Sequence, residues 1–248
     1  MRSETLFDED GHRWLAFGRD PNKRDSVIDT NEYVILSDGK ALILDPGGIE
    51  VFPEVLSAMT RHFDTHQIEA LFASHQDPDI ISSLPMWLDL CPGVKAYASW
   101  LWRSFLAHFA MGRDADILPV PDEGMTLTIG PKKRRVELIP AHYCHSSGNF
   151  SVWDPTAKIL FSGDIGAALL PDHEYNFYVE DFAKHVEYMR GFHLRWMPSR
   201  PALQSWVKKV RALQPNMICP QHGAIFRGED VGRFLDWLDT LEVGQIHW

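Results

Sequence analysis

Cysteine is scarce in this chain of 248 residues: Cys91, Cys144 and Cys219 are odd in number, far apart and in no CxxC pair. That pattern argues against a disulfide framework, a thiolate zinc site and a rubredoxin centre. Long apolar runs are missing as well. No stretch approaches a membrane span, and the N-terminal MRSETLFDEDGHRW has no hydrophobic core for a secretory signal, so a cytoplasmic protein is expected. Positive charge is in deficit, with a net charge of −10 that disfavours partnership with nucleic acid or an anionic membrane. The one basic run, Lys132-Lys133-Arg134-Arg135, follows Gly130-Pro131 and reads as a solvated turn. No Pro/Gly/Ser-rich linker and no repeat divides the sequence, which makes residues 1–248 a single expected domain.

What is present is an ordinary globular composition, 45% apolar and 23% charged, which leaves disorder without support. With twelve histidines and thirty-four acids against three cysteines, metal chemistry here would be histidine and carboxylate chemistry. NEYVILSDGKALILDPGG reads as two strands joined at Asp38-Gly39, and EVFPEVLSAMTRHF has helical spacing. IEALFAS and VKAYAS read as strands, and WLWRSFLAHFAMG as an aromatic helix that either packs in the core or walls a pocket. The C-terminal third alternates helix VEDFAKHVEYMRGFHLRWM, helix ALQSWVKKVRAL, strand NMICP and helix EDVGRFLDWLDTL. Strands at both ends with helices between them suggest two sheets covered outside by helices.

The chemistry concentrates in LFASHQDPDI. If the segment stays extended, as Pro78 favours for Asp77, then His75, Asp77 and Asp79 point the same way and form half of a metal site. The alternative is a polar turn that caps a helix with Asp77 or Asp79. Three further places match the pattern of a buried strand ending in a ligand group: His142 and His145 in AHYCHSSGN, Asp164 in FSGD and His222 in PQHGA. A glycine follows or precedes Asp164 and His222 closely, which allows tight turning beside them. Loops at one rim of a sheet scaffold are where sites are usually built.

Together SHxDxD, HSSGN, FSGD and PQHGAIF resemble the metallo-β-lactamase fold superfamily, and within it the diiron domain of flavodiiron proteins and the related oxygen-binding diiron proteins. The resemblance implies an α/β fold, an αββα four-layer sandwich. It implies one iron held by His75, Asp77 and His145, a second held by Asp79 and His222, and Asp164 bridging them. His145 is preferred to His142 because it directly precedes Ser146-Ser147-Gly148-Asn149, and Asp45 is implied as a support that does not touch metal. Two departures stand out. Asp77 replaces the second histidine of the hydrolase pattern HxHxDH and the glutamate of the flavodiiron pattern, favouring iron or manganese over zinc. Ile80 stands where both patterns carry a histidine, so the second metal keeps an open position, binds more weakly or recruits another group, with His173, Tyr175 and Tyr178 as candidates.

The implied function is a non-haem diiron protein that binds dioxygen or nitric oxide, as a sensor or as a reductase fed by an external electron donor. No flavodoxin domain with FMN is read in this chain, so sustained reduction would need that outside donor, and a signalling partner or a homodimer are the other expected associations. The alternative is a metal-dependent hydrolase of an ester, thioester, lactone or phosphodiester, in which the metals activate a water.

Overall fold

The backbone reverses at Asp10-Gly11 and again at Asp38-Gly39, both pairs with positive φ, and these two tight turns start the first sheet. A computed structural model describes residues 1–23, 27–110, 117–172 and 174–245. Strands β1 (Arg2–Glu9), β2 (His12–Gly18), β3 (Glu32–Ser37) and β4 (Lys40–Leu44) run antiparallel. Strands β5 (Ile68–Ala73), β6 (Lys95–Ser99) and β7 (Ile117–Val120) then add parallel, giving a seven-stranded sheet in sequence order. The second sheet has six strands in the order β13-β12-β11-β10-β9-β8. They are β8 (Met125–Ile129), β9 (Arg134–Pro140), β10 (Phe150–Asp154), β11 (Ile159–Gly163), β12 (Met217–Pro220) and β13 (Phe226–Arg227).

Side-chain alternation decides the layers. On β2, Trp14 and Ala16 face the second sheet while Leu15 and Phe17 face outward, and β3 divides Tyr33 and Ile35 from Val34 in the same way. The inward set meets Leu127, Val136, Leu138, Phe150, Val152 and Phe161 of the second sheet. The outward set is covered by α1 (Phe52–Met59), α2 (Pro78–Ile81), α3 (Leu84–Leu90) and α4 (Trp100–Ala110), through Phe52, Val55, Trp87 and Leu106 among others. Helices α5 (Phe182–Trp196), α6 (Arg200–Leu213) and α7 (Glu229–Thr240) cover the other sheet, with Met189, Trp206 and Phe234 on Leu160 and Ile218. The result is the expected αββα order, with three apolar layers between four structural ones.

Local chemistry fixes the helix starts. Asp181 and Ser199 accept the backbone N–H of Lys184 and Ala202 at the heads of α5 and α6, and Glu229 and Asp230 lie in the positive first turn of α7. The β1–β2 hairpin carries little signature in the sequence. Its edge strand buries only Leu6, so the alternation that marks a half-buried strand is weak there.

Candidate metal centre

Strands β4, β5, β11 and β12 all end at one rim of the sandwich, and the loops leaving them carry Asp45, His75, Asp164 and His222. Backbone bonds stitch the two sheets together there: Phe150 N–H donates to Ser74 O, and Asn31 N–H to Gln221 O. Gly163 takes φ +58°, and Gly223 takes φ +87° with an imagined Cβ only 2.6 Å from that of Ala168, so both need to be glycine. Asp45 and His145 also have positive φ without being glycine, a local strain that the surrounding structure must hold in place.

The opening motif converges by a different route from the one expected. The strand stops at Ala73, Asp77 is extended at the N-cap of α2, and Asp79 lies in the first turn of that short helix. Pro78 does hold Asp77 out of the helical region, but it then starts the helix itself. Asp77 has no capping bond, so its carboxylate is free to face the rim. Its Oδ2 lies 3.0 Å from His145 Nε2 and 3.5 Å from His75 Nε2. Asp164 Oδ2 is 3.8 Å from His75 Nε2 and 3.5 Å from His145 Nε2. One donor atom from each of His75, Asp77, His145 and Asp164 falls within 4.8 Å of all the others. On the far side of Asp164, its Oδ1 is 3.6 Å from His222 Nε2, which is itself 3.2 Å from Asp79 Oδ2.

Neighbouring bonds aim the imidazoles. His75 Nδ1–H donates to Ser74 Oγ at 2.9 Å, and Ser74 Oγ–H donates to Asp45 Oδ2 at 2.7 Å. His222 Nδ1–H donates to the carbonyl of Asp29, whose carboxylate pairs with buried Arg19 at 2.9 Å. Both rings therefore turn an Nε2 lone pair inward, the arrangement that second-layer partners impose on metal-bound histidines. His75 Nε2 and Asp164 Oδ1 are buried with no hydrogen-bond partner among the described residues. Burial opposes a charge on His222, yet Asp164 and Asp79 outweigh it and push its pKa up to about 9. Burial likewise opposes the charge on Asp77, but hydrogen bonds from His145 and His75 hold its carboxyl well below the usual range. A field that binds protons this firmly to imidazole suits a divalent cation equally, and three imidazoles with three carboxylates fit the donor preference of iron or manganese.

His142 lies outside this cluster, with Nε2 3.0 Å from the carbonyl of Asp122. Tyr178 places its hydroxyl on Glu4 and its ring under Arg227, away from the cluster, while Tyr175 has its backbone carbonyl bound by Arg2 and its ring exposed. His173 lies outside the described residues. Ile80 is fully buried in the apolar layer with Phe52, Leu84 and Trp87. An aromatic wall beside the rim comes from a helix other than α4, for which core packing and a pocket wall are the two readings. On α4, Trp100 and Phe105 are more than half exposed, and Trp102 packs on Gly148. Instead α5 sets Phe192 in a stack on His145, centroids 5.7 Å apart, and 6.4 Å from His222, with Trp196 5.5 Å from His145. The spacing of four between Tyr188, Phe192 and Trp196 was the available signal.

Comparison with known proteins gives the family. The family model described as "ODP family beta lactamase" matches residues 28–223. A structure of the apo state of the chemotaxis sensor ODP from T. denticola is 39% identical, with a TM-score of 0.87 over 98% of this chain and 96% of that one. A peroxy diiron form of a chemotaxis sensor ODP is 37% identical, with the same TM-score over 98% and 97%. The rubredoxin-oxygen oxidoreductase of Megalodesulfovibrio gigas is 26% identical over 81% of this chain and 50% of its own length. This chain thus spans about half the length of the curated relatives it matches. With a family model covering most of its length and relatives of this identity along nearly all of it, the chain belongs to the ODP family of β-lactamase-fold proteins.

Proposed function

We propose that this protein is a non-haem diiron protein that binds dioxygen and serves as an oxygen sensor. The observation that carries the reading is Asp164, whose two oxygens face two separate donor sets, His75/Asp77/His145 and Asp79/His222. In this reading those sets, with Asp164 shared between them, would hold a pair of ferrous ions, which would supply one electron apiece to a small bound ligand. The rest is done by the chain's own residues. Ser74 and Asp29 fix the tautomers of His75 and His222, and Phe192 lies across the imidazoles of both halves, limiting water and bulk. With Asp79 and His222 alone beside Asp164, the second half would keep coordination space for a diatomic molecule, nitric oxide as well as dioxygen.

Relatives described as chemotaxis sensor ODP support the sensory role. Complete reduction of dioxygen to water takes four electrons and the pair holds two, so a reductase role requires an external donor. Three carboxylates among six donors weigh against the histidine-rich zinc hydrolase.

The test is anaerobic purification, elemental analysis and an optical spectrum before and after admitting air. About two irons per chain with a new visible absorption band are expected. Zinc without a spectral response would overturn the proposal. Asp164→Ala should lose both ions, and full occupancy in that variant would remove the bridge from the account.

A further inference from the structure

Gln76 stands between two of the residues just assigned and belongs to neither donor set. Its Nε2 donates to Asp77 Oδ1 at 2.8 Å, and its Oε1 accepts from Ser146 Oγ at 2.7 Å. Chemistry fixes that orientation. An ionised carboxylate can only accept, so the amide must turn its NH2 toward Asp77 and leave its carbonyl for the Ser146 hydroxyl. The oxygens of Asp77 are thereby divided: Oδ1 is held by Gln76, while Oδ2 faces His145 and His75.

We propose that Gln76, braced by Ser146, is a positioning residue that restricts Asp77 to ligation through one oxygen and so sets the coordination number of the first metal. The inference rests on the diiron reading above. For Asp77 to bind through both oxygens, Oδ1 must swing toward the cation and leave the Gln76 amide, breaking a charge-assisted hydrogen bond. The brace also crosses the rim, because Ser146 follows His145 while Gln76 follows His75. It therefore ties the strained His145 loop, φ +78°, to the loop that carries the other ligands of the same ion. The functional consequence concerns symmetry. A ligand that spans two metals needs an open position on each: the smaller Asp79/His222 set would leave one on the second ion, and single-oxygen binding by Asp77 would leave one on the first.

The test uses the full chain, stripped of metal and loaded with cobalt(II), whose visible bands weaken as its coordination number rises. Gln76→Met keeps the length of the side chain and removes the amide. Wild type should take about two cobalt ions per chain; failure to bind any would sink the diiron reading itself, whatever Gln76 does. Given wild-type loading, Gln76→Met should bind cobalt with a several-fold loss of visible absorbance, as Asp77 adds its second oxygen. An unaltered cobalt spectrum at full loading would overturn the role of Gln76. If Gln76→Met does not fold, Ser146→Ala decides the matter: it leaves the amide in place but unbraced, so a smaller loss of absorbance in the same direction is expected, and a wild-type spectrum refutes the brace.

Discussion

Ile80 shows how one residue is placed by its neighbours. Asp79 in the first turn of α2 faces the rim, so the next residue, a quarter-turn on, faces the apolar layer beneath α1 and α3. A histidine there would have to bury an imidazole among Phe52, Leu84 and Trp87. Ile80→His should therefore destabilise the metal-free protein by about 2 kcal/mol, the usual scale for an unsatisfied buried polar group. Urea denaturation measures it, and undiminished stability would contradict the placement of this side chain. Ser74 argues the opposite case, a small polar group with two tasks. Its N–H and hydroxyl both donate to Asp45, and its oxygen accepts from His75. Ser74→Ala should cost about 1–3 kcal/mol by leaving a buried carboxylate oxygen without its donor. It should also weaken metal binding by releasing the His75 tautomer, which titration of the metal-free protein with ferrous ion would detect. The sequence made these residue types visible but not the path by which they meet. Alternation along a strand suggested the convergence of His75, Asp77 and Asp79, whereas a strand end, an extended N-cap and a helical first turn produce it.

At the scale of elements, α5 is the helix most closely tied to the rim. His193 donates from Nδ1 to the carbonyl of Met189 and accepts at Nε2 from Gly166 N–H, so a neutral ring fixes the loop that leaves Asp164. Protonation would set N–H against N–H, and burial already pushes its pKa down to about 4. His185, one helix face away among Phe226 and Tyr188, is likewise lowered to about 4 by burial, with Arg19 adding to it. Between pH 4 and 6.5 the unfolded chain binds protons that these folded rings refuse. Their contribution is thus complete above pH 6.5 and is lost as pH falls toward 4, on the order of 3 kcal/mol for each ring. Burial raises Glu32 to about 8 and Asp45 to about 7, which acts in the opposite sense, so the difference between variants is the useful quantity. His185→Leu should gain stability relative to wild type as pH is lowered from 7 to 5, measured by urea melts at each pH. A constant difference would mean that His185 does not titrate as its burial requires. The sequence marks α5 as a helix but not as the element that covers the rim. Its aromatic residues are spread through polar ones at intervals of four, while the denser aromatic cluster of α4 drew attention and proves largely exposed. Composition marks apolar area, but only packing says which helix covers the site.

For the whole molecule, the order of layers was legible because strands, turns and amphipathic helices follow one another with clear punctuation. The bonds that close the rim were not, since Asn31 to Gln221 and Phe150 to Ser74 join segments distant in sequence and use backbone groups that carry no residue signature. Those closures matter because the six proposed ligands come from both sheets: His75, Asp77 and Asp79 follow β5, while His145, Asp164 and His222 follow β9, β11 and β12. Metal bound between them would link the two halves of the sandwich and would be absent from the unfolded chain. Binding of that kind stabilises the folded state by about 4 kcal/mol at a free metal concentration one thousand times the dissociation constant. For a chain of this size that corresponds to a rise in melting temperature of roughly 8–16 °C. Anaerobic calorimetry with and without ferrous ion should show the rise in wild type and not in Asp164→Ala, which lacks the carboxylate shared by both donor sets. An equal rise in the two proteins would place the metal elsewhere and separate the stability of the sandwich from its rim.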